Sequence, residues 1–369
     1  MTRVPIHGIG VIAPDATGVE AFRALLASGG GAVREADRFD TTGLSAHQAA
    51  LVRDFKARDF IAPMKMRRMN GLSRFAVAAA KLAIEDSGGT LPADTGVAMG
   101  TAFGPVQTSV EYMQEYVEKG PALAPPQLFA ESVANAPGSH IAIEWGLRGF
   151  NVTITQRESS ALAAAMYAAT QIVKGTASAT LIGGVEEANE MLFSVLDRIG
   201  ALAHAENGLD EAARPFDAHR NGLILGEGAA VLVANTGTRK PYGWLAGFGI
   251  ARDTTAPISD WGTDADRVVA AMNAALADAG IEQVDAIFAS ANGSRRGDEL
   301  EQRAIAQRFG DAQVVTTKQI FGEYAAGGAL QIVAALLALD EGRYDHVLVN
   351  SLSAGGGIVC AVLSREDEE

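Results

Sequence analysis

One stretch, residues 149–175, constrains the fold more than any other part of the chain. It begins with the β-branched run Asn151 to Thr155, which is typical of a buried strand. An alanine-rich helical pattern then runs from about Ser159 to Lys174, and Gly175 follows at a position suited to end the helix. Because this helix has almost no polar face, we predict that it is buried on most sides.

The composition is that of a globular protein with a large core. The chain has 369 residues, 48% of them hydrophobic and 20% charged, which fits one large domain or two ordinary ones. A net charge of −14 argues against nucleic acid and against anionic membrane surfaces as partners. The longest mostly apolar stretch, Ala161 to Val173, is shorter than the roughly 20 residues that span a bilayer. One cysteine, Cys360, lies in an apolar run, so we expect a cytoplasmic protein without disulfides.

The order of strands and helices is repeated along the chain. Each half shows a strand, a helix, a strand, a buried helix of small residues and then two strands. Lys240 and Pro241 lie between the two repeats and mark the boundary of the halves. The repeat predicts a duplicated α/β unit with layered packing, and we divide it into residues 1–240 and 241–369.

Six segments, taken in chain order, carry a family resemblance. They are MRRMNGLSRFAVAAAKLAIEDSG, VANAPGSHIAIEWGLRGFN, RPFDAHRNGLILGEGAAVLV, NGSRRGDELE, TTKQIFGE and NSLSAGGG. Together they resemble the β-ketoacyl synthases of the thiolase fold across nearly the whole chain, and the third is specific. The resemblance implies an α/β, thiolase-like fold with duplicated βαβαβαββ halves in a five-layered α-β-α-β-α arrangement.

The resemblance also implies a catalytic centre, and there this sequence departs from the family. Condensing members hold an acyl chain on a cysteine at the strand–helix turn, and two histidines, or a histidine and an asparagine, promote loss of CO2 from the malonyl unit. The matched positions carry Glu158 for the cysteine, Asn292 for the first histidine and Glu323 for the second. Lys318 alone is retained at its position, and none of the six histidines falls on a catalytic place.

These replacements predict a centre that is filled rather than reactive. The carboxylate in the turn is a poor acyl acceptor, because its product would be a mixed anhydride, and a helix N-terminus favours its charged form. Since Glu323 adds a second negative charge, we expect Arg157 or Lys318 to neutralise one of the two. A salt-bridged plug is therefore favoured over a general acid–base pair. Ser159 and Ser160 are better explained as helix caps than as substitute nucleophiles, because no motif histidine is available as a base.

A synthase without its triad resembles the chain length factor, the non-condensing partner of an active ketosynthase in type II polyketide synthases. The resemblance implies a heterodimer with that ketosynthase, contact with an acyl carrier protein through the complex, and a shared tunnel for the growing chain. It assigns four apolar residues to the tunnel wall near the interface: Phe103, Met113, Leu128 and Phe129. The compact loops fit divergent members such as those of aryl polyene pathways.

Neither a cofactor nor a metal is expected. Gly355 and Gly356 belong to a glycine-rich loop that resembles the family's loop over the active site, and no P-loop lysine follows them, so a tight turn explains them better than a phosphate cradle. The basic cluster at residues 65–68 suits an acidic carrier protein, a folded surface patch or a subunit contact. Two other functions stay open: a relative that decarboxylates malonyl carrier, and a homodimeric scaffold without a synthase partner.

Overall fold

The computed structural model describes residues 3–366, which form fourteen strands and twelve α-helices. The strands are β1 (Val4–Ala13), β2 (Ala16–Thr17), β3 (Arg34–Glu35), β4 (Gln48–Ala50), β5 (Gly96–Gly100), β6 (Asn151–Ile154), β7 (Thr180–Glu186), β8 (Leu225–Gly226), β9 (Gly228–Ala234), β10 (Gly243–Arg252), β11 (Ala286–Phe288), β12 (Gln313–Val315), β13 (His346–Leu352) and β14 (Gly357–Ser364). The helices are α1 (Val19–Ser28), α2 (Pro63–Met66), α3 (Gly71–Ser87), α4 (Val106–Lys119), α5 (Pro126–Glu131), α6 (Ala136–Trp145), α7 (Ser160–Val173), α8 (Glu190–Arg198), α9 (Ala265–Ala279), α10 (Arg295–Phe309), α11 (Lys318–Phe321) and α12 (Ala329–Asp340).

The main sheet consists of two halves with the same internal strand order. The N-terminal half runs β6-β5-β7-β9-β1, and the C-terminal half runs β12-β11-β13-β14-β10. Counted along the chain within each half, both orders read third, second, fourth, fifth, first. In each half the third, second and fourth strands are parallel, and the fourth, fifth and first are antiparallel. This repeat confirms the predicted duplicated fold, while the division at residue 240 stays a prediction.

The helices complete five layers. Helix α3 packs on β1 and β9 outside the N-terminal half, and α9 packs on β10 and β14 outside the C-terminal half. Helices α7 and α12 touch each other and strands of both halves, so they form the middle layer. The five-layered arrangement expected from the sequence is therefore confirmed. No helix within residues 3–366 is both long and apolar enough to cross a membrane.

The middle layer depends on close approach between small residues. Helix α7 buries Ala161 to Ala165 against its neighbours, as its composition predicts. A Cβ added to Gly100 of β5 would lie 2.4 Å from the backbone nitrogen of Ala161. One added to Gly184 of β7 would lie 1.9 Å from the carbonyl oxygen of Ala326. Because no side chain fits these places, β5 can pack backbone to backbone on α7, and β7 on the short segment that leads into α12.

The outer helices use the same device in both halves. On β1, a Cβ added to Gly10 would lie 1.9 Å from the carbonyl oxygen of Ala79 in α3. On β10, a Cβ added to Gly249 would lie 1.9 Å from the carbonyl oxygen of Ala271 in α9. The duplication therefore extends from the strand order to individual glycine–alanine contacts.

We expect Gly249→Val to lower the free energy of unfolding by about 2–3 kcal/mol, because the new side chain must push α9 away from β10. Urea unfolding followed by circular dichroism measures this. Gly30→Ala is the matched control, since its new Cβ would meet no atom nearer than the Ser28 hydroxyl at 3.5 Å. A Gly249→Val variant as stable as the control would contradict the proposed contact.

Candidate buried site at the strand–helix turn

The turn between β6 and α7 carries Glu158 into the interior. It is a short 3-10 segment, Arg157–Ser159, in which Arg157 has a φ of 49°, a left-handed conformation that non-glycine residues seldom adopt. The Glu158 side chain is 2% exposed. An added Cβ on Gly328 would lie 2.8 Å from the Glu158 carbonyl oxygen, so this glycine lets the opposite loop approach the turn.

Both carboxylate oxygens of Glu158 are hydrogen-bonded. The Tyr324 hydroxyl donates to Oε1 at 2.8 Å, and the backbone N–H of Ala354 donates to Oε2 at 3.1 Å. Gly355 and Gly356, with φ of 88° and 87°, form the turn that follows Ala354 and leads into β14. The tight turn expected from the sequence is confirmed, and it sets a backbone donor against the buried carboxylate.

The second carboxylate, Glu323, is held by its own set of donors. Lys318 Nζ donates to Glu323 Oε2 at 2.6 Å, and Asn292 Nδ2 donates to the same oxygen at 2.7 Å. The backbone N–H of Tyr324 donates to Glu323 Oε1 at 2.9 Å. Lys318 also donates to the carbonyl oxygen of Ser290 at 2.8 Å. The four positions singled out in the sequence therefore meet in one buried hydrogen-bonded network.

The two carboxylates have different surroundings, and only Glu323 has the cation partner expected from the sequence. Of the two cations considered, Lys318 makes the buried ion pair with Glu323. Glu158 instead receives a phenol and a backbone amide. Burial, followed by the nearby charge of Glu323, raises the pKa of Glu158 to about 7. Burial therefore shifts Glu158 toward its protonated form, against the expectation that the helix N-terminus favours the charged form.

Tyr324 is the important residue that sequence reasoning missed. It follows Glu323 directly, its phenol is buried, and burial together with Glu158 raises its pKa well above the usual range. The hydroxyl therefore keeps its proton and donates to Glu158. The sequence did offer one signal for it, namely a bulky aromatic side chain directly after Glu323, a position matched to the catalytic centre. The contact itself joins residues 166 apart in the chain.

Two acidic residues of the Gly-Asp-x-x-Glu segment support the loop that carries Asn292. The Asp298 carboxylate accepts hydrogen bonds from the backbone N–H of Asn292 at 3.0 Å and from the backbone N–H of Gly293 at 3.2 Å. Glu301 accepts the backbone N–H of Ser290 at 2.9 Å, and burial raises its pKa to about 7. Among residues 3–366, no three His, Cys, Asp or Glu side chains are grouped so as to hold a metal ion.

The two serines after Glu158 do not cap the helix. Ser159, at the N-cap of α7, makes no side-chain capping bond. Its hydroxyl donates to the carbonyl oxygen of Ser351 at 3.0 Å and accepts from the Ser353 hydroxyl at 2.7 Å. The Ser160 hydroxyl accepts the backbone N–H of Gln156 at 2.9 Å. The capping prediction is wrong, because these hydroxyls tie the turn to β13 and to its own backbone.

The four residues assigned to a tunnel wall lie in two environments. Phe103 is half-buried, and its ring packs edge-on against Tyr324 with centroids 4.8 Å apart. Leu128 is half-buried in a surface cleft of about 500 Å³. Met113 and Phe129 are 52% and 57% exposed. Phe103 thus reaches the buried network, whereas the other three lie on the surface formed by α4 and α5, and their role in a tunnel stays a prediction.

Comparison with known families decides the broader assignment. Residues 1–238 match the β-ketoacyl synthase N-terminal domain, and residues 242–349 match the β-ketoacyl synthase C-terminal domain. The chain belongs to the β-ketoacyl synthase family.

The proteins to which this chain is similar include synthases and a ketosynthase/chain length factor. The 3-oxoacyl-[acyl-carrier-protein] synthase 2 of Vibrio cholerae is 31% identical over 363 residues, which are 92% of this chain and 86% of the relative. A β-ketoacyl synthase structure from Burkholderia phymatum has a TM-score of 0.88 and 25% identity over all of both chains. The ishigamide ketosynthase/chain length factor has a TM-score of 0.84 and 26% identity over 99% of each chain.

The raised pKa of Glu158 gives stability a defined pH dependence. Because the pKa rises from 4.5 to about 7 on folding, the folded chain keeps a proton that the unfolded chain loses in this window. The free energy of unfolding therefore falls as the pH rises through the window. Glu158→Gln removes this effect. The free energy of unfolding of the variant should therefore rise relative to that of the wild type, by up to about 1.4 kcal/mol per pH unit between pH 5 and 7.

Urea unfolding of both proteins from pH 5 to pH 8 measures this difference. Glu118→Gln, on the exposed face of α4, is the control, and its offset from the wild type should stay constant. If the Glu158→Gln advantage shrank with rising pH, a cation would have to hold the native carboxylate in its charged form.

Proposed function

We propose that this chain is a non-condensing, ketosynthase-like subunit of the chain length factor type. It pairs with an active ketosynthase and shapes the tunnel for the growing acyl or polyene chain. The observation that carries the proposal is the state of Glu158, which is buried and hydrogen-bonded to Tyr324 and Ala354 at the turn where the family resemblance assigns a nucleophile. A carboxylate there offers no route to a stable acyl-enzyme.

The remaining chemistry of the centre is committed to internal contacts. The amide of Asn292 and the ammonium of Lys318 both donate to Glu323, and Lys318 also donates to the carbonyl oxygen of Ser290. Loss of CO2 from a malonyl group needs donors aimed at the developing enolate, and these two groups are directed at the buried carboxylate instead. Cys360 lies fully buried in β14, where burial raises the pKa of its thiol, so it does not substitute as a nucleophile. These contacts favour the non-condensing subunit over the malonyl decarboxylase.

An exposed strand edge supports a protein partner. Strand β6 is one edge of the main sheet, and its residues are half-buried or exposed. Ile143 of the adjacent α6 is 76% exposed, and Val173 at the end of α7 is 42% exposed. Backbone groups at an open edge, flanked by apolar side chains, are suited to pairing with a strand of another chain. We propose that a cysteine-bearing ketosynthase of the same fold supplies that strand.

The tunnel proposal rests on Phe103. Its ring packs edge-on against Tyr324, and the Tyr324 hydroxyl donates to Glu158. The position of Phe103 is therefore set by the buried centre. The exposed Met113 and Phe129 would be covered by the partner, and the chain would grow along the wall that they share with Phe103. An acyl carrier protein would deliver substrate to the ketosynthase of the complex. We propose a type II polyketide pathway, with the aryl polyene class as its narrower form.

Phe103→Ala should lengthen the products of the reconstituted complex, because the smaller side chain leaves room for a longer chain. Mass spectrometry of products from the complex, loaded with malonyl carrier protein, measures this. Phe309→Ala, at the end of α10 in the C-terminal half, is the matched control and should leave the product distribution unchanged. Identical distributions from all three complexes would contradict the tunnel assignment.

The isolated chain should form no acyl-enzyme and should release no CO2 from malonyl carrier protein. Co-expressed with a cysteine-bearing synthase from its own pathway, it should co-purify in a one-to-one complex. Intact-protein mass spectrometry, trapped CO2 and size-exclusion chromatography are the measurements. CO2 release by the lone chain would favour the decarboxylase, and a homodimer that ignores the synthase would favour the scaffold.

A further inference from the structure

A surface cleft leads toward the buried network from the side of α8 and α10. It has a volume of about 510 Å³, and its lining includes Ile199, His204, Trp261 and Arg296. A second, narrow gap lies next to it, has no room for a water molecule and is termed the inner gap because Asn292 lines it. Trp261 and Ser294 line both spaces. Asn292, whose amide holds Glu323, lines the inner gap and not the cleft, which places Trp261 and Ser294 at the boundary between the two.

Trp261 is fixed by polar and apolar contacts. Its Nε1–H donates to the carbonyl oxygen of Leu352 at 3.3 Å. Its ring packs against two apolar clusters, one around Met272 and the other around Phe193. A Cβ added to Gly297 would lie 3.0 Å from two atoms of the indole, so this glycine in the first turn of α10 makes room for the ring.

The loop that carries Trp261 is fastened to the glycine turn above Glu158. The backbone N–H of Gly355 donates to the carbonyl oxygen of Asp260 at 3.0 Å. The backbone N–H of Asp253 donates to the carbonyl oxygen of Gly356 at 2.8 Å. Arg296 donates to the Asp260 carboxylate at 2.8 Å. The indole is therefore held by the same turn that directs Ala354 toward Glu158.

We infer that Trp261 determines access to this centre: it is a fixed stopper that separates the surface cleft from Asn292 and the Lys318–Glu323 pair. A thioester entering the cleft would stop at the indole, whatever residue occupied the turn at Glu158. The inference deepens the proposed function and depends on it for its biological meaning. A non-condensing subunit then has two separate barriers, a filled centre and a closed approach.

Thiol labelling of the full chain tests the stopper. Asn292→Cys puts a reporter in the inner gap, and its rate of alkylation by iodoacetamide is measured by peptide mass spectrometry, which separates it from Cys360. Adding Trp261→Ala should raise the rate roughly tenfold or more, because the packed indole no longer excludes the reagent. Trp261→Phe should retain most of the protection. Trp145→Ala, in the outer layer of the other half, should leave the rate unchanged.

The outcomes separate this inference from the proposed function. Melting curves show whether each variant is folded, and rates in denaturant give the fully exposed reference. Reporter alkylation near that reference with Trp261 present would overturn the inference, as would equal rates with and without the indole in folded proteins. The labelling needs no partner chain, so a failure to bind a synthase would leave this result standing and would count against the proposed function alone.

Discussion

The hydrogen bond between the Tyr324 hydroxyl and Glu158 is the contact on which the centre depends. It fills the space beside the strand–helix turn with a phenol and a carboxyl group. Within the described residues, the Tyr324 hydroxyl is the only side-chain group that donates a hydrogen bond to Glu158. The neighbouring Lys318–Glu323 pair is complete in itself, with Asn292 as its third member. Each carboxylate thus has its own hydrogen-bond donors, and these bonds offset the cost of burial only while every donor stays matched.

The duplicated scaffold does not depend on which side chains occupy this centre. The middle-layer helices, α7 and α12, are held by glycine contacts and small side chains that do not depend on the chemistry of the turn. The left-handed backbone at Arg157 and Tyr324 persists because the strands and helices around it are rigidly packed. A change of side chain at Glu158 would therefore alter the charge and hydrogen bonding of the centre and leave the packing of the middle layer in place.

The sequence predicts the fold and the positions of the centre well, because both depend on local patterns and ordered motifs. The strand before Glu158, the buried helix after it and the glycine turn at Gly355 follow from periodicity and residue type. The raised pKa of Glu158 does not, since it depends on burial by distant parts of the chain. Tyr324 and Trp261 escape prediction for the same reason: each acts through contacts with residues far away in sequence.

A crystal structure of the chain grown with a high concentration of an acyl thioester tests the central claim most directly. We predict that the region between Glu158 and Glu323 contains no acyl group and that the Tyr324 hydroxyl still donates to Glu158 at about 2.8 Å. Density for an acyl chain beside Glu158, with Tyr324 displaced, would contradict this prediction, because it would show that the buried centre opens to admit substrate.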